Sequence, residues 1–211
     1  MLTGTAQLKT IHDFGGFPEP LYKLRYDAPG SPEVAEETAA LLRYAGITSS
    51  INGCRGIDHG AWVPLRWMYP AVDVPVVQLS VQPGLGTPHH LQMGRALQPL
   101  TERDVLVIGS GHVTHNLRDW MTSHDATQPL PYVTAFSRWL ESQLASDDEA
   151  ALLAYREQAP AAARAHPTEE HFLPLYVALG AAGSAVTSRR IYSGMEGAAL
   201  SMDAYEFTQA A

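Results

Sequence analysis

Two short apolar segments, each bordered by a helical pattern, constrain the fold of this chain most. Residues 74–81 (VPVVQLSV) and 104–109 (DVLVIG) are apolar enough to be buried on both faces of a sheet. Residues 88–100, which lie between them, have helical spacing. Strands that alternate with helices pack as a sheet covered by helices. The sequence therefore predicts an α/β fold with a mixed central sheet flanked by helices.

Helix and turn signals place the remaining elements. Ser31 can cap a first helix, Pro32 suits its first turn, and Gly46 stops it. Apolar spacing predicts further helices over residues 131–145, 147–158 and 169–179. Residues 184–192 and 198–207 alternate like an antiparallel strand pair. The chain is expected to close with this hairpin.

The size and charge of the chain exclude several classes of protein. Its 211 residues are 45% hydrophobic, so residues 1–211 are expected to form one domain with a substantial core. The 14 Lys and Arg against 22 Asp and Glu give a net charge of -8, which disfavours nucleic acid as a partner. Cys54 is the only cysteine, and no run reaches the roughly 20 apolar residues of a membrane span. No signal peptide is recognisable. A cytoplasmic protein is expected.

Nine histidines are the compositional feature that points to chemistry. Histidine is both a common metal ligand and the side chain that carries protons near neutral pH. His59 lies between an acid and a glycine, His115 follows the second apolar segment on a glycine-rich turn, and His171 begins an apolar helix. Taken singly, each is more often structural, for example as a helix cap. Their spacing matches no compact zinc signature, so the residues alone support only a weak hypothesis of a metal site.

Other kinds of site have less support. Cys54 lies in a polar loop and no Gly-x-Ser-x-Gly motif occurs, which disfavours nucleophilic catalysis. The glycine-rich turn before His115 continues into neither of the phosphate-binding glycine motifs. His89 and His90 open a predicted helix, where solvated side chains are expected and not a pair of metal ligands.

Six sequence blocks occur in an order that makes the chain recognisable. They are residues 10–18 (TIHDFGGFP), 58–62 (DHGAW), 77–80 (VQLS), 111–117 (GHVTHNL), 171–175 (HFLPL) and 201–207 (SMDAYEF). With these blocks the chain resembles the LigB-type class III extradiol ring-cleavage dioxygenases, and among them the DOPA dioxygenases. The resemblance runs from about Thr10 to the end of the chain.

The resemblance implies a metal-dependent enzyme. Such an enzyme opens a catechol ring beside its two hydroxyl groups and inserts both atoms of dioxygen. A small catechol such as DOPA is the expected substrate, and iron(II) is the expected cofactor. Zinc could be the ion found at the site, although it has no accessible redox change.

The resemblance also implies roles for individual residues. His171 would be a metal ligand, and His115 would be a general base or an additional ligand. His59 would stand close by as a second catalytic residue. His12 and Phe14 would belong to a lip over the substrate pocket, for which a surface turn is the alternative interpretation. A histidine base is chemically sensible, because the catechol must lose protons to chelate a metal.

One part of the family pattern does not occur in this chain. Relatives begin with a strand and a His-Gly-Ser-Pro turn, followed by a strand ending in Ser-Ala-His-Trp, and both histidines are metal ligands. Neither motif is present, so the chain is expected to be truncated at its amino terminus relative to the family. His115 and His171 alone would form a two-ligand remnant, for which no ring cleavage is expected. His12, His59 and His112 are the first candidates to complete the site.

Three interpretations of the function therefore stay open. The protein is an extradiol dioxygenase, or a catalytically inactive truncated relative that acts as a binding or subunit protein. A zinc hydrolase that uses the same histidines is the third, and oxygen consumption with DOPA would separate it from the first. Loss of core strands is also expected to expose a sheet edge and to favour self-association into a homo-oligomer.

Overall fold

A computed structural model describes residues 1–123 and 125–209 of the chain. Contacts between residues group the chain into two compact units, Met1–Ser80 and Val81–Ala211. The expectation of a single domain over residues 1–211 stays a prediction. Within the described ranges, no helix is long and apolar enough to cross a membrane.

The first unit contains two α-helices and a short parallel strand pair. Its elements are β1 (Leu2–Thr3), a 3₁₀ turn (Glu19–Lys23), α1 (Pro32–Tyr44), β2 (Ile51–Asn52) and α2 (His59–Met68). The predicted first helix is confirmed as α1. Its cap is the Ser31 hydroxyl, which accepts a hydrogen bond from the Val34 amide at 3.3 Å. Gly46 follows the helix with a φ of 77°, a backbone conformation that glycine adopts without strain.

The strand expected over residues 74–81 is only partly formed. β1 and β2 pair in parallel, whereas the 74–81 segment contributes isolated bridges. Pro75 has no amide proton to donate to a ladder. The Gln78 amide donates to the hydroxyl of Thr3 at 2.9 Å. The Gln78 carbonyl accepts from the Thr3 amide at 3.0 Å, but among the described residues the amides of residues 75 and 78 donate to no backbone carbonyl, and a regular ladder does not develop.

A small apolar core holds the first unit together. Its buried members are Leu8, Tyr26, Ala28, Ile57, Trp62 and Leu65. The indole nitrogen of Trp62 donates to the carbonyl of Ile11 at 2.9 Å, and the Tyr26 hydroxyl donates to the carbonyl of Tyr69 at 2.9 Å. A buried polar group without such a partner costs about 1–3 kcal/mol. These hydrogen bonds therefore let both large side chains lie in the core, and Trp62 fixes α2 against the chain around Ile11.

The second unit is mainly helical. Its helical elements are a 3₁₀ turn (Pro83–Leu85), α3 (Gly86–Thr101), α4 (Leu117–Thr122), α5 (Pro131–Ala145), α6 (Glu149–Leu153), α7 (Tyr155–Gln158), α8 (Ala162–Ala165) and α9 (Leu173–Ala181). Its strands are β3 (Val186–Tyr192), β4 (Met195–Glu196), β5 (Leu200–Ser201) and β6 (Ala204–Gln209). The helix expected over residues 147–158 is thus two short helices, and the one expected from residue 169 begins at Leu173.

Two glycines allow α3 and α9 to pack closely. A Cβ on Gly94 would lie 2.2 Å from the carbonyl oxygen of Val177, and a Cβ on Gly180 would lie 2.4 Å from that of Leu91. Only glycine fits at such distances. α9 buries most of its residues because its sequence, LPLYVALGA, has no polar face. The helix therefore runs through the core of this unit and holds the residues just before it in place.

The strands of the second unit form two-stranded sheets. β3 and β6 are the predicted antiparallel pair at the end of the chain, with Arg189 opposite Glu206 and an ion pair of 2.7 Å between their side chains. β4 and β5 also pair in antiparallel fashion. Helices combined with small parallel and antiparallel sheets confirm the α/β class. The strands described here are distributed over separate two-stranded sheets.

Residues 105–110, where the second buried strand was expected, have no regular secondary structure. Leu106 is 64% exposed and Ile108 is 43% exposed. The amides of residues 106–109 donate no hydrogen bond to a backbone carbonyl in the part of the chain that the structure describes. A strand needs a hydrogen-bonded neighbour to be stable. The segment therefore does not pair as a strand within the described residues, and the exposed sheet edge expected from the sequence stays a prediction.

Candidate metal centre

The turn that carries His112 and His115 lies directly against the chain at His171. The His112 amide donates a hydrogen bond to the carbonyl of His171 at 2.9 Å. A Cβ on Gly111 would lie 2.1 Å from that same carbonyl oxygen, so only glycine allows the two segments to approach. Gly111 is therefore required for the close packing of this turn against His171.

Other hydrogen bonds anchor the turn on two further sides. The Val113 amide donates to the carbonyl of Ser201 at 3.1 Å, and the His115 amide donates to the carbonyl of Ala165 at 2.8 Å. The Asn116 side chain accepts from the Asp119 amide at 3.0 Å and so caps α4. The turn is thus fixed to β5, to α8 and to the residues before α9. Such fixing limits the reorganisation needed when the histidines bind a ligand.

Three half-buried histidines converge at this turn: His112, His115 and His171. One ring nitrogen of each histidine can serve as a ligand atom, and these three nitrogens lie within 4.8 Å of one another. The rings of His115 and His171 are stacked with centroids 3.6 Å apart, and those of His112 and His115 are 5.1 Å apart. The predicted convergence of His115 and His171 is confirmed. The sequence predicts two ligands here, and the structure brings His112 close enough to be a third candidate.

The donor set fits a transition-metal ion. Metal–nitrogen bonds of about 2.0–2.1 Å place neighbouring ligand nitrogens roughly 3.0–3.4 Å apart. The upper limit of 4.8 Å between the three nitrogens is close enough for small side-chain rotations to reach that spacing. Imidazole suits zinc and iron, and three protein ligands leave coordination positions open for a substrate. His112, His115 and His171 could therefore hold a catalytic metal ion.

A carboxylate lies beside the three histidines. Glu170 Oε1 is 3.9 Å from His171 Nε2 and accepts a hydrogen bond from the Thr168 hydroxyl at 2.7 Å. Burial alone would raise the pKa of Glu170, but the hydrogen bond from Thr168 and the nearby histidines lower the pKa overall. The site therefore has an ionised acid next to the metal-ligand candidates at neutral pH.

A fourth histidine, His166, supports the turn from inside the core. It is fully buried, and its Nε2 lies 2.8 Å from the carbonyl oxygen of Val113. Burial lowers its pKa to about 3, so it is neutral at pH 7 and donates its Nε2 proton to that carbonyl. The sequence does not single out His166, because its role depends on a residue that is distant in the chain.

A cavity of about 270 Å³ opens beside His115. Its walls combine one histidine, one cation, one acid and small apolar or polar side chains. They are His115, Asn116, Leu117, Arg118, Pro167, Thr168 and Glu170. A ligand in this cavity would therefore touch a metal-ligand candidate and charged groups at once.

The first unit holds the remaining predicted site residues. His59 is the first residue of α2, and both its amide and its ring Nδ1 are hydrogen-bonded to Asp13 Oδ1, at 3.1 Å and 2.8 Å. Burial would raise the pKa of Asp13, but the hydrogen bonds from His59 lower it overall. Asp13 was not predicted as a site residue, although it lies in the matching block beside His12.

His12 and Phe14 belong to an aromatic cluster in the first unit. The Phe14 ring centroid lies 5.8 Å from that of His12, 5.8 Å from that of His59 and 5.3 Å from that of Tyr22. His12 Nε2 lies 3.0 Å from the carbonyl oxygen of Leu24 and donates its proton there. Edge-on aromatic contacts of this kind stabilise one arrangement of the rings. Whether the cluster binds substrate stays a prediction.

His90 corrects one expectation. A solvated side chain was expected at the start of α3, but His90 is fully buried. Its Nε2 accepts a hydrogen bond from the Gln82 amide at 3.0 Å, and its Nδ1 lies 2.6 Å from the carbonyl of Gly86. Burial lowers its pKa. His90 is therefore a neutral structural side chain that closes the turn before α3.

Known proteins resemble this chain over most of its length. The family described as "Catalytic LigB subunit of aromatic ring-opening dioxygenase" matches residues 1–202. A protein named "4,5-DOPA dioxygenase extradiol" from Beta vulgaris is 44% identical over 200 residues, which are 94% of this chain and 74% of that protein. A protein of the same name from Escherichia coli strain K12 is 38% identical over 175 residues, which are 82% of this chain and 64% of that one. The chain thus spans roughly two thirds to three quarters of these relatives.

A solved structure of another protein has a similar fold. The crystal structure of an uncharacterized Escherichia coli K12 protein matches with a TM-score of 0.80 and 31% sequence identity, covering 97% of this chain and 78% of that one. Identity above 30% over most of the chain, together with the match over residues 1–202, is more than a likeness of fold. This chain belongs to the LigB family of aromatic ring-opening dioxygenases.

Proposed function

We propose that the protein is an extradiol ring-cleaving dioxygenase that acts on a small catechol such as DOPA and uses iron(II) and dioxygen. The convergence of His112, His115 and His171 within 4.8 Å carries this proposal. Two histidines would leave the ion with mostly water ligands, whereas three enforce a coordination geometry with open positions. The names of the relatives support a catechol that carries an amino-acid side chain.

In this proposal the three histidines bind the metal ion. Iron(II), when bound, would supply the redox chemistry that dioxygen requires, and zinc could occupy the same ligands without supporting turnover. The anchored turn at residues 111–116 and the Glu169–Leu173 hydrogen bond before α9 hold the ligands in place without the metal. Such preorganisation lowers the cost of binding.

In this proposal, histidines of this chain carry out proton transfer. His115 lines the cavity and stacks on His171, so in the alternative in which it does not bind the ion it would accept a proton from a catechol hydroxyl. The hydrogen bond to Asp13 orients His59, which suits a second acid–base group. His12 and Phe14 would contact the aromatic ring of the substrate through their cluster.

Cys54 is the only cysteine, which suits a reducing compartment, and we propose that the protein is cytoplasmic.

A zinc hydrolase is the second candidate, because three histidines with an open position are also a catalytic zinc donor set. Oxygen consumption decides between the two. The chain would be loaded anaerobically with iron(II) and mixed with DOPA and a panel of catechols in an oxygen electrode. The proposal predicts oxygen uptake with a yellow ring-opened product.

A matched control and two contrary outcomes sharpen this test. His89→Ala changes a histidine outside the metal-ligand candidates and should leave oxygen uptake intact. Binding of one metal ion without oxygen uptake from any catechol would favour the catalytically inactive binding protein. Hydrolysis of an ester or amide with zinc and no oxygen uptake would favour the hydrolase.

We also propose that the chain self-associates through the open segment at residues 105–109. Two observations support this: Leu106 and Ile108 are exposed, and the amides of residues 106–109 have no backbone partner among the described residues. Sedimentation velocity should show a homo-oligomer that Ile108→Lys shifts toward the monomer. Arg138→Glu, on an exposed face of α5, serves as a surface control that should change nothing. A monomeric wild-type chain at high concentration would contradict the proposal.

A further inference from the structure

Arg118 stands out among the charged side chains around the metal-ligand candidates. It lies in α4, lines the cavity beside His115, and is exposed. Across residues 1–123 and 125–209, its guanidinium makes no hydrogen bond or ion pair with another residue. Arg164, by contrast, pairs with Asp119 at 2.7 Å and lies over the ring of Tyr132. Arg118 is therefore available to a ligand, whereas Arg164 has a structural role.

The cavity presents an acid as well as this cation. Glu170 lines the same cavity, and its carboxylate accepts a hydrogen bond from the Thr168 hydroxyl at 2.7 Å. Leu117, which is 49% exposed, and Pro167 supply apolar surface between the charged groups and His115. A guanidinium binds a carboxylate through two parallel hydrogen bonds, and a carboxylate binds an ammonium group. A cavity with both charges complements a zwitterion better than a neutral or singly charged ligand.

We propose that this cavity binds the α-amino-acid end of an aromatic substrate, with Arg118 on its carboxylate and Glu170 on its ammonium group. The volume of about 270 Å³ is just below the lower end of ligand pockets, near 300 Å³, so it suits a small ligand. The two residues would make the protein prefer amino-acid catechols to simple catechols. This preference rests on the proposed function, but binding of the amino-acid end does not require ring cleavage.

Monophenols test the binding step by itself, because they carry the same side chains and are not catechols. The full chain would be titrated calorimetrically with L-tyrosine, with tyramine, which has no carboxylate, and with 3-(4-hydroxyphenyl)propionate, which has no ammonium group. Arg118→Gln should weaken tyrosine and the propionate about tenfold or more and leave tyramine unchanged. Glu170→Gln should weaken tyrosine and tyramine and leave the propionate unchanged.

Matched variants control for the loss of charge alone. Arg138→Gln and Glu157→Gln change exposed side chains of α5 and α7, outside the cavity, and should leave all three affinities unchanged. Circular dichroism would check that each variant is folded. A folded Arg118→Gln that binds tyrosine as tightly as the wild type, or loses tyramine to the same extent as tyrosine, would overturn the assignment. A wild-type chain that does not bind tyrosine would overturn it as well.

The outcome is separable from that of the ring-cleavage proposal. If tyrosine binding depends on Arg118 while no catechol consumes oxygen, only ring cleavage fails. If the iron-loaded wild type and Arg118→Gln cleave DOPA and dopamine with the same ratio of kcat/KM, ring cleavage stands and the amino-acid subsite fails. The subsite predicts that Arg118→Gln raises KM for DOPA about tenfold and leaves KM for dopamine unchanged.

Discussion

The two units each hold a group of histidines, and the neighbours of those histidines differ. In the second unit, His112, His115 and His171 face one another within 4.8 Å. In the first unit, His59 faces a carboxylate, Asp13, at 2.8 Å. Imidazoles that crowd together repel one another when protonated, and a metal ion binds their neutral form. A carboxylate instead orients a single imidazole for proton transfer. The neighbour of a histidine therefore decides which chemistry it suits.

The largest expected effect is loss of the metal from the second-unit group. His171→Ala removes the ligand candidate that is close to both His112 and Glu170, and we expect metal affinity to fall by at least about 100-fold, with oxygen uptake abolished. Calorimetric titration with zinc(II) measures the affinity directly. His89→Ala is the matched control. Retention of wild-type affinity in His171→Ala would place the metal elsewhere.

His115→Ala sharpens the comparison within the group of three. Because His115 is one of the three proposed ligands, its loss should lower zinc affinity at least about tenfold and abolish oxygen uptake. Steady-state oxygen uptake gives kcat, and calorimetry gives the metal content. If the variant keeps wild-type zinc affinity while kcat falls roughly 10²–10⁴-fold, His115 is the general base and not a ligand.

Gly111→Ala tests whether the arrangement of the three histidines depends on the anchored turn at residues 111–116. The new methyl group would lie 2.1 Å from the His171 carbonyl oxygen, so the two segments must separate. We expect unfolding free energy to fall by about 1–3 kcal/mol and zinc affinity to fall with it. Gly84→Ala, with no atom within 4 Å of the new methyl group, is the control. Chemical denaturation measures the first quantity, and unchanged stability in Gly111→Ala would contradict the close approach.

The smallest effect is expected for Asp13→Asn, which tests the pairing of His59 with Asp13 in the first unit. The new side-chain amide can still hydrogen-bond to the His59 ring but carries no negative charge. We expect kcat to fall about tenfold and its pH dependence to change, while zinc affinity stays the same. A loss of zinc affinity in Asp13→Asn would show that the His59–Asp13 pair is not chemically distinct from the three histidines of the second unit. An unchanged pH profile would remove His59 from the acid–base roles.

The convergence of His115 and His171 could be predicted from the sequence, whereas His112 was only one of three candidates to complete the site, with His12 and His59. The first two lie in sequence blocks that resemble a known family. His112 joins them because its amide bonds to the His171 carbonyl and because Gly111 lets the segments meet. That contact joins segments distant in the chain, and spacing along the sequence does not reveal it. His166 was missed for the same reason.

The helices were predicted better than the strands, for a related physical reason. α1 and α5 are determined by local caps and by spacing along one segment. A strand requires a partner, and residues 106–109 have the apolar composition of a strand without backbone hydrogen bonds to other described residues. Composition alone therefore predicted the apolar character of this segment correctly and its secondary structure incorrectly.

The central claim is that three histidines, including His112, hold one metal ion. X-ray absorption spectroscopy of the zinc-loaded full chain counts imidazole ligands directly, because each imidazole adds a characteristic outer-shell scattering signal. The account predicts three imidazoles at zinc–nitrogen distances near about 2.0–2.1 Å in the wild type and two in His112→Ala. Identical spectra from the wild type and His112→Ala would show that His112 is not a ligand and would contradict the account.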